Sequence, residues 1–312
     1  MILSTLDKSR KGGAYEQIPS LVLGQRWTPQ LNSRNMMKVV LCVWIEPYIE
    51  NDLSFCVWPV HTPTTSKEVL TLSASTSPLP YTGNKSCIVN TILSVMPKHT
   101  VYIDPCMGSA EVFFRKPRAE KEILNDYNGD LVNLFRVIQN NEKLAYLLGR
   151  LYLSINGELA FKQNKDRLKG VPNILDDVIE TSQIFYDASW EDIQNAAAFL
   201  ENQVYSFSST GQTFGIARRD MSQRLPRLMS NRIRDAIILH RDYKDVITYA
   251  ACPGSFILLD PPYKGTEDMY SKANFDIEQH DILFSFMSEV NQQHHGEVKF
   301  LITYNNDPYI RG

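Results

Sequence analysis

A chain of 312 residues with 43% hydrophobic and 21% charged side chains has the material for a large buried core, which excludes a disordered or fibrous protein. Its formal net charge of -3 excludes a global pull toward nucleic acid or an anionic membrane, so affinity for a polyanion has to come from a local basic patch. The apolar run VVLCVWI at 39–45 is too short to span a bilayer, and five scattered cysteines (Cys42, Cys56, Cys87, Cys106, Cys252) without C-x-x-C spacing signal neither a disulfide framework nor a zinc site.

The N-terminus carries no secretory signal pattern, so the expected setting is a reducing cytoplasm, with no metal and no membrane contact. Residues 1–78 lack sustained periodicity and close in HTPTTSKEVLTLSASTSPLP, a Ser/Thr/Pro-rich run that reads as a linker; they are taken as an extension without chemistry. From Tyr81 the texture changes. SCIVNTILSVMP predicts a short amphipathic helix stopped by Pro97, and TVYID a strand that ends in Asp104 before the small-residue turn PCMGSAE. EILND predicts a second strand ending in Asp126. In YNGDLVNLFRVIQNNEKL, Leu131, Leu134, Phe135 and Ile138 recur at i, i+3, i+4, i+7, one helical face.

Residues 142–205 read as mainly helical, and SSTGQTFGIARRD as a hairpin or irregular loop. NRIRDAIILHRDY returns to helical spacing. SFILLD then predicts a strand ending in Asp260, IEQHDILFSFMSEVNQQ a helix, and VKFLITYN a last strand. Nearly continuous apolar strands alternating with helices imply an α/β fold with a parallel sheet covered on both faces. Ligands of such sheets sit beyond the carboxyl ends of the strands, so Asp104, Asp126 and Asp260 are expected to converge on one cleft.

Gly108, Ser109 and Ala110 form a strand-to-helix turn small enough for close backbone approach to a ligand. Asp126 stands where a second-strand acid meets a ribose in doubly wound folds. An adenosine-bearing cofactor fits. Asp104 and Glu111 flank the turn with negative charge, which disfavours a pyrophosphate and favours a cation such as S-adenosylmethionine. The stretch ILLDPPYKG supplies the other half. An exocyclic amine on an aromatic ring is a poor nucleophile, and Asp260 with the carbonyl of Pro261 would accept its two N–H groups. Pro261 and Pro262 bring no competing N–H and stiffen the loop, while Tyr263 offers a ring for stacking. A plain strand-ending turn is the alternative use of DPPY.

These stretches resemble the Dam-like family of N6-adenine-specific DNA methyltransferases. YTGNKS (81–86) is similar to its opening motif, DPCMGSAEVFF (104–114) to its cofactor loop, ILNDYNGDLVNLF (123–135) to its ribose-binding segment and SFSSTGQTFG (206–215) to the start of its target-recognition hairpin. DPPY resembles its catalytic motif. The resemblance implies a Rossmann-like S-adenosylmethionine-dependent sheet over 79–141 and 242–312, with a mainly helical target-recognition insertion at 142–241. It places Tyr81 and Lys85 near the methionine end of the cofactor, Asp104, Gly108, Ser109 and Ala110 around it, Asp126 on its ribose, and Asp260, Pro261, Pro262 and Tyr263 on a flipped adenine. It further implies a double-stranded DNA partner and a bacterial or phage modification enzyme. Asn84 and Ala110 stand where the family favours glycine, and the family continues past LITYNNDPYIRG with further strands.

Seven arginines between 218 and 241 (Arg218, Arg219, Arg224, Arg227, Arg232, Arg234, Arg241) face only Asp220 and Asp235 there, a local balance of +5. This is the basic patch that the net charge demanded. Arg218, Arg219, Arg224 and Arg227, with Ser209 and Thr210, are the expected DNA contacts. Arg232, Arg234 and Arg241 read as a solvated, salt-bridged helix face. Tyr205 and Phe207 either pack in the core or fill the gap left by an extruded base. The competing readings are methylation of a glutamine side chain or an RNA base, and an inactive relic of a DNA methyltransferase.

Overall fold

The computed structural model describes residues 79–154, 157–170, 188–215, 231–263, 275 and 277–305, with three short strands at 38–41, 44–46 and 54–56. In chain order the elements are β1 (Lys38–Leu41), β2 (Trp44–Glu46), β3 (Ser54–Cys56), α1 (Val89–Val95), β4 (Val101–Asp104), α2 (Glu111–Arg115), β5 (Lys121–Asn125) and α3 (Gly129–Gln139). There follow α4 (Asn141–Tyr152), α5 (Glu158–Leu168), α6 (Ala188–Tyr205), a 3₁₀ turn at Phe207–Ser209, α7 (Asn231–Arg234), β6 (Ile237–Leu239), α8 (Tyr243–Ala250), β7 (Ser255–Leu259), α9 (Ile277–Gln293) and β8 (Lys299–Asn305).

Six strands form one sheet in the order β1-β8-β7-β4-β5-β6. Five run parallel, and β1 adds antiparallel to the β8 edge with Lys38 opposite Asn305 and Leu41 opposite Ile302. Strands β4 and β7 are buried along their whole length. Each alternates between two cores: Tyr102, Leu124, Phe256, Leu258 and Leu301 pack with α1, α2 and α3, while Ile103, Ile123, Ile257, Leu259 and Ile302 pack with α8 and α9. That two-sided burial is why these strands read as unbroken apolar runs. The parallel α/β sheet expected from the sequence is present, and helices α4, α5 and α6 build the insertion on the α3 side.

Four readings change. The helical stretch within 127–144 divides in two, because Asn140 leaves helical geometry (ψ 119°) and its side chain accepts the amides of Glu142 and Lys143, capping α4. In NRIRDAIILHRDY only Asn231–Arg234 is helical; Ile237–Leu239 pairs with β5 as the sheet edge, so the sheet resumes inside the stretch assigned to the insertion. A short apolar run suits helix and strand alike, and the open edge of β5 decided it. The segment read as an extension contributes β1 to the sheet, and β2 pairs with β3 as a ribbon.

The fourth concerns Arg232, which is 9% exposed rather than solvated. Its guanidinium grips both oxygens of Glu122, donates to the Phe113 carbonyl at 2.9 Å and lies 4.2 Å from the Phe113 ring centroid. Lys116 completes the cluster at 2.6 Å from Glu122. Burial pushes the Glu122 carboxyl up, but hydrogen bonds from Arg232 and Lys116 outweigh it and hold it below its usual range. The cluster bolts α7, and with it the approach to β6, onto the start of β5. Arg234 keeps the exposed position expected of it.

Candidate active site

Strands β7, β4 and β5 lie side by side and parallel, so their carboxyl ends open on one edge of the sheet. Asp104 closes β4, Asp126 follows β5 and Asp260 follows β7. All three line a single open cavity. The convergence expected from the acid-tipped strands is therefore present. Tyr81, Lys85, Gly108, Ser109, Pro261 and Pro262 line the same cavity.

The loop after β4 is drawn back over β5. Met107 donates its amide to the Asn125 carbonyl at 2.8 Å, and Gly108 donates its amide to Asp126 Oδ2 at 3.0 Å. Gly108 needs a left-handed backbone (φ 49°), and a Cβ there would meet the Tyr81 ring at 3.6 Å. Ala110 also takes a left-handed conformation (φ 53°) that alanine adopts at a cost, and it is buried behind the loop rather than in the cavity wall. The Asn128 amide reaches the Tyr81 hydroxyl at 3.3 Å, so the loop at 81–85 is tied to the same wall.

Three carboxyl groups at close quarters shape the electrostatics. Burial raises Asp104 to about 7, with Asp260 and Asp126 adding to the rise and the Tyr102 hydroxyl, at 2.9 Å, working against it. Burial also raises Asp126 from its ordinary value, against hydrogen bonds from the Asn128 and Gly108 amides. A cleft in which burial and mutual repulsion disfavour carboxylates is one that a cationic ligand relieves. The donor set therefore fits a sulfonium-bearing cofactor, with Gly108 leaving room for backbone approach.

Asp260 sits at the centre of a hydrogen-bond cluster. Lys85 pairs with its Oδ2 and also donates to the Gly83 carbonyl at 2.6 Å. Oδ1 accepts the hydroxyls of Thr303 and of Tyr263, the latter at 3.1 Å. Tyr263 lies outside the cavity wall: its ring stacks on Tyr304 with centroids 6.1 Å apart, and Lys85 Nζ lies 5.4 Å from its centroid. Tyr304 in turn contacts the buried His280.

Of the expected DNA contacts, Ser209 is buried in a left-handed conformation (φ 56°) and its carbonyl accepts the Thr82 hydroxyl at 3.0 Å; Thr210 is half-buried in the same turn. The turn is closed by the Phe207 amide on the Thr213 carbonyl at 2.9 Å and by a bridge between Ser206 and Phe214, a tight hairpin-like loop. It brings the insertion against the loop that carries Lys85. Tyr205 packs inside, whereas Phe207 is 70% exposed at the tip. Arg218, Arg219, Arg224 and Arg227 lie outside the described residues. No helix among the described residues is long and apolar enough to cross a membrane.

Several cavity-lining residues escaped the sequence reading, among them Asn125, Asp242, Tyr243, Phe275 and Gln279. Asp242 had a legible signal: it follows a third apolar run, IIL, and reading that run as a strand would have placed its acid at the same edge. Asn125 buries its side chain between the Pro105 and Arg241 carbonyls at 2.8 and 2.9 Å, joining three strand ends. Thr303, outside the cavity lining but bonded to Asp260, had none, because a parallel neighbour is invisible without the register.

Comparison with known proteins bears on this geometry. Residues 81–312 match the family model for D12 class N6 adenine-specific DNA methyltransferases. The chain is 25% identical over 248 residues to a DNA N-6-adenine-methyltransferase of Escherichia phage P1, covering 74% of this chain and 30% of that protein. It is 21% identical over 236 residues to modification methylase LlaI of Lactococcus lactis subsp. lactis (70% and 36%) and 25% identical over 247 residues to modification methylase StsI of Streptococcus sanguinis (73% and 35%). The chain thus spans about a third of the length of these relatives.

Proposed function

The chain belongs to the family of D12 class N6 adenine-specific DNA methyltransferases, and on that premise we propose that it transfers a methyl group from S-adenosylmethionine to the N6 amine of an adenine turned out of duplex DNA. The observation that carries the reading is the meeting of Asp104, Asp126 and Asp260, with Pro261 and Pro262, in one cavity at the carboxyl edge of the sheet.

S-adenosylmethionine, when bound, supplies an electrophilic methyl on a positively charged sulfur. Asp104, Gly108 and Ser109 form the wall against which such a cation would be held, Asp126 would accept from a ribose hydroxyl, and Tyr81 and Lys85 would serve the methionine end. Asp260 and the Pro261 carbonyl accept the two N–H groups of the amine, which aims the nitrogen lone pair at the methyl. Neither Pro261 nor Pro262 offers an amide that competes for these acceptors. With the methyl taken from sulfur onto the nitrogen, Asp260 would receive the one proton that the nitrogen sheds and pass it to water. Lys85 holds Oδ2 of Asp260 in the structure, and the amine takes the lone pair of that oxygen that Lys85 leaves open. Stacking of the base on Tyr263 requires the ring face that does not lie against Tyr304.

A basic segment at 218–227 supplies phosphate contacts that the overall charge does not. The setting of such an enzyme is the cytoplasm. Incubation with tritiated S-adenosylmethionine and adenine-containing duplexes tests the reading: the wild type incorporates label into N6-methyladenine and Asp260→Ala does not. Equal counts from the two proteins, or label in RNA or protein alone, would defeat it.

A further inference from the structure

Resting on that role of Asp260, we propose that Thr303 is a positioning residue for the transfer, its hydroxyl holding Oδ1 of Asp260 so that Oδ2 faces the incoming amine. The two residues come together through the sheet. Parallel partners run Leu258 with Leu301 and Leu259 with Ile302, so the next step of the register sets Thr303 beside Asp260 on the same face. Thr303 is 1% exposed, and its hydroxyl donates to Oδ1.

The three donors on Asp260 among the described residues differ in what holds them. Lys85 extends a long side chain from a loop and is shared with the Gly83 carbonyl. Tyr263 belongs to the same loop as Asp260, so it moves with the group it would have to fix. Thr303 stands on β8, between β7 on one side and Val40 of β1 on the other. Its branched β-carbon restricts χ1, so the hydroxyl is an anchor referenced to the sheet itself. As the amine joins Lys85 on Oδ2, Thr303 keeps the carboxylate from swivelling. A near-attack geometry tolerates little such freedom.

Thr303→Val removes the hydroxyl at constant shape, and Thr303→Ser keeps it. Thr303→Val is expected to lower kcat roughly 10–100-fold, the loss of one hydrogen bond to a charged group, with unchanged KM for S-adenosylmethionine and a thermal midpoint lowered by the same lost bond. Thr303→Ser is expected to stay within about threefold of wild type. A wild-type rate in Thr303→Val, or equal losses in both variants, would overturn the proposal, the second result marking a packing role. Crystal structures give a readout independent of turnover: Asp260 keeps one orientation in the wild type and in Thr303→Ser and is rotated or split in Thr303→Val. An unmoved Asp260 in Thr303→Val refutes the role. If the wild type methylates no adenine at all, the functional reading fails, and the crystallographic comparison still decides what Thr303 does.

Discussion

Lys85, 7% exposed in the loop after Tyr81, forms an ion pair with Oδ2 of Asp260 across the mouth of the cavity. The cofactor wall and the DPPY loop are therefore joined by one charge pair, and each feels the loss of the other. A charge-assisted hydrogen bond contributes about 1.5–3 kcal/mol. Lys85→Met is expected to lower methyl transfer roughly 10–100-fold, measured as steady-state kcat on a duplex containing the preferred site. Lys85→Arg should recover part of the loss. Wild-type turnover in Lys85→Met would show that the pair is incidental.

Binding of the cofactor should depend on pH through Asp104. With its carboxyl raised to about 7, the residue is largely neutral at pH 6 and largely a carboxylate at pH 8. Only the carboxylate attracts a sulfonium, so affinity rises from pH 6 to 8 and levels off above. Titration calorimetry across that range should see the rise in the wild type and a flat profile in Asp104→Asn. Without cofactor the effect on stability runs the other way. The folded state keeps a proton that the unfolded chain, with its ordinary value of 3.8, has released. This residue therefore favours folding most at acidic pH, and that contribution is lost as pH climbs through about 7.

Phe207 is expected to matter for duplex substrates and little for folding. It is 70% exposed at the tip of a braced turn, which is a poor place for a packing residue and a good one for a ring that enters a gap in a base stack. Base–aromatic stacking contributes about 1–3 kcal/mol. Phe207→Ala should lower kcat/KM on an intact duplex by roughly tenfold without moving the thermal midpoint. The deficit should shrink when the target adenine is mismatched, because the stack is then already weakened. An equal deficit on both substrates would remove the argument.

Arg232 should behave as a structural residue and not as a DNA contact. Breaking a buried pair from one side costs about 3–5 kcal/mol, since the remaining charge stays buried. Arg232→Met is expected to lose stability at the lower end of that scale in urea unfolding, because Lys116 still pairs with Glu122, and adding Glu122→Met is expected to lose more, because it strands the buried Lys116 ammonium. The sign with pH follows from Glu122, held below its usual range: its contribution is in place above about pH 4.5 and fades as pH falls further. A DNA-affinity loss in Arg232→Met at undiminished stability would contradict this assignment.

Legibility varied with the range of the interaction. Asp104, Asp126 and Asp260 were readable because a buried strand announces itself by an apolar run, and the residue that ends the run is fixed by chain order. The Gly108 turn was readable because small residues there have few other uses. NRIRDAIILHRDY misled because helical spacing and a short buried strand share the same letters, and the deciding partner, β5, lies more than a hundred residues away. Arg232 misled for a related reason: nothing local distinguishes an arginine in solvent from one bound to Glu122.

By itself the chain's order of residues determined the α/β class, the acid at each strand end and the stiff acceptor-rich loop at 260–263, since each follows from local periodicity and turn chemistry. Tertiary structure alone decided which groups hold Asp260, that Tyr263 leans on Tyr304, that Asp242 and Tyr243 complete the cavity, and that β1 covers the β8 edge. Those outcomes rest on strand order and register, which bring together side chains far apart in sequence, and no periodicity along one chain encodes which neighbour a strand will take.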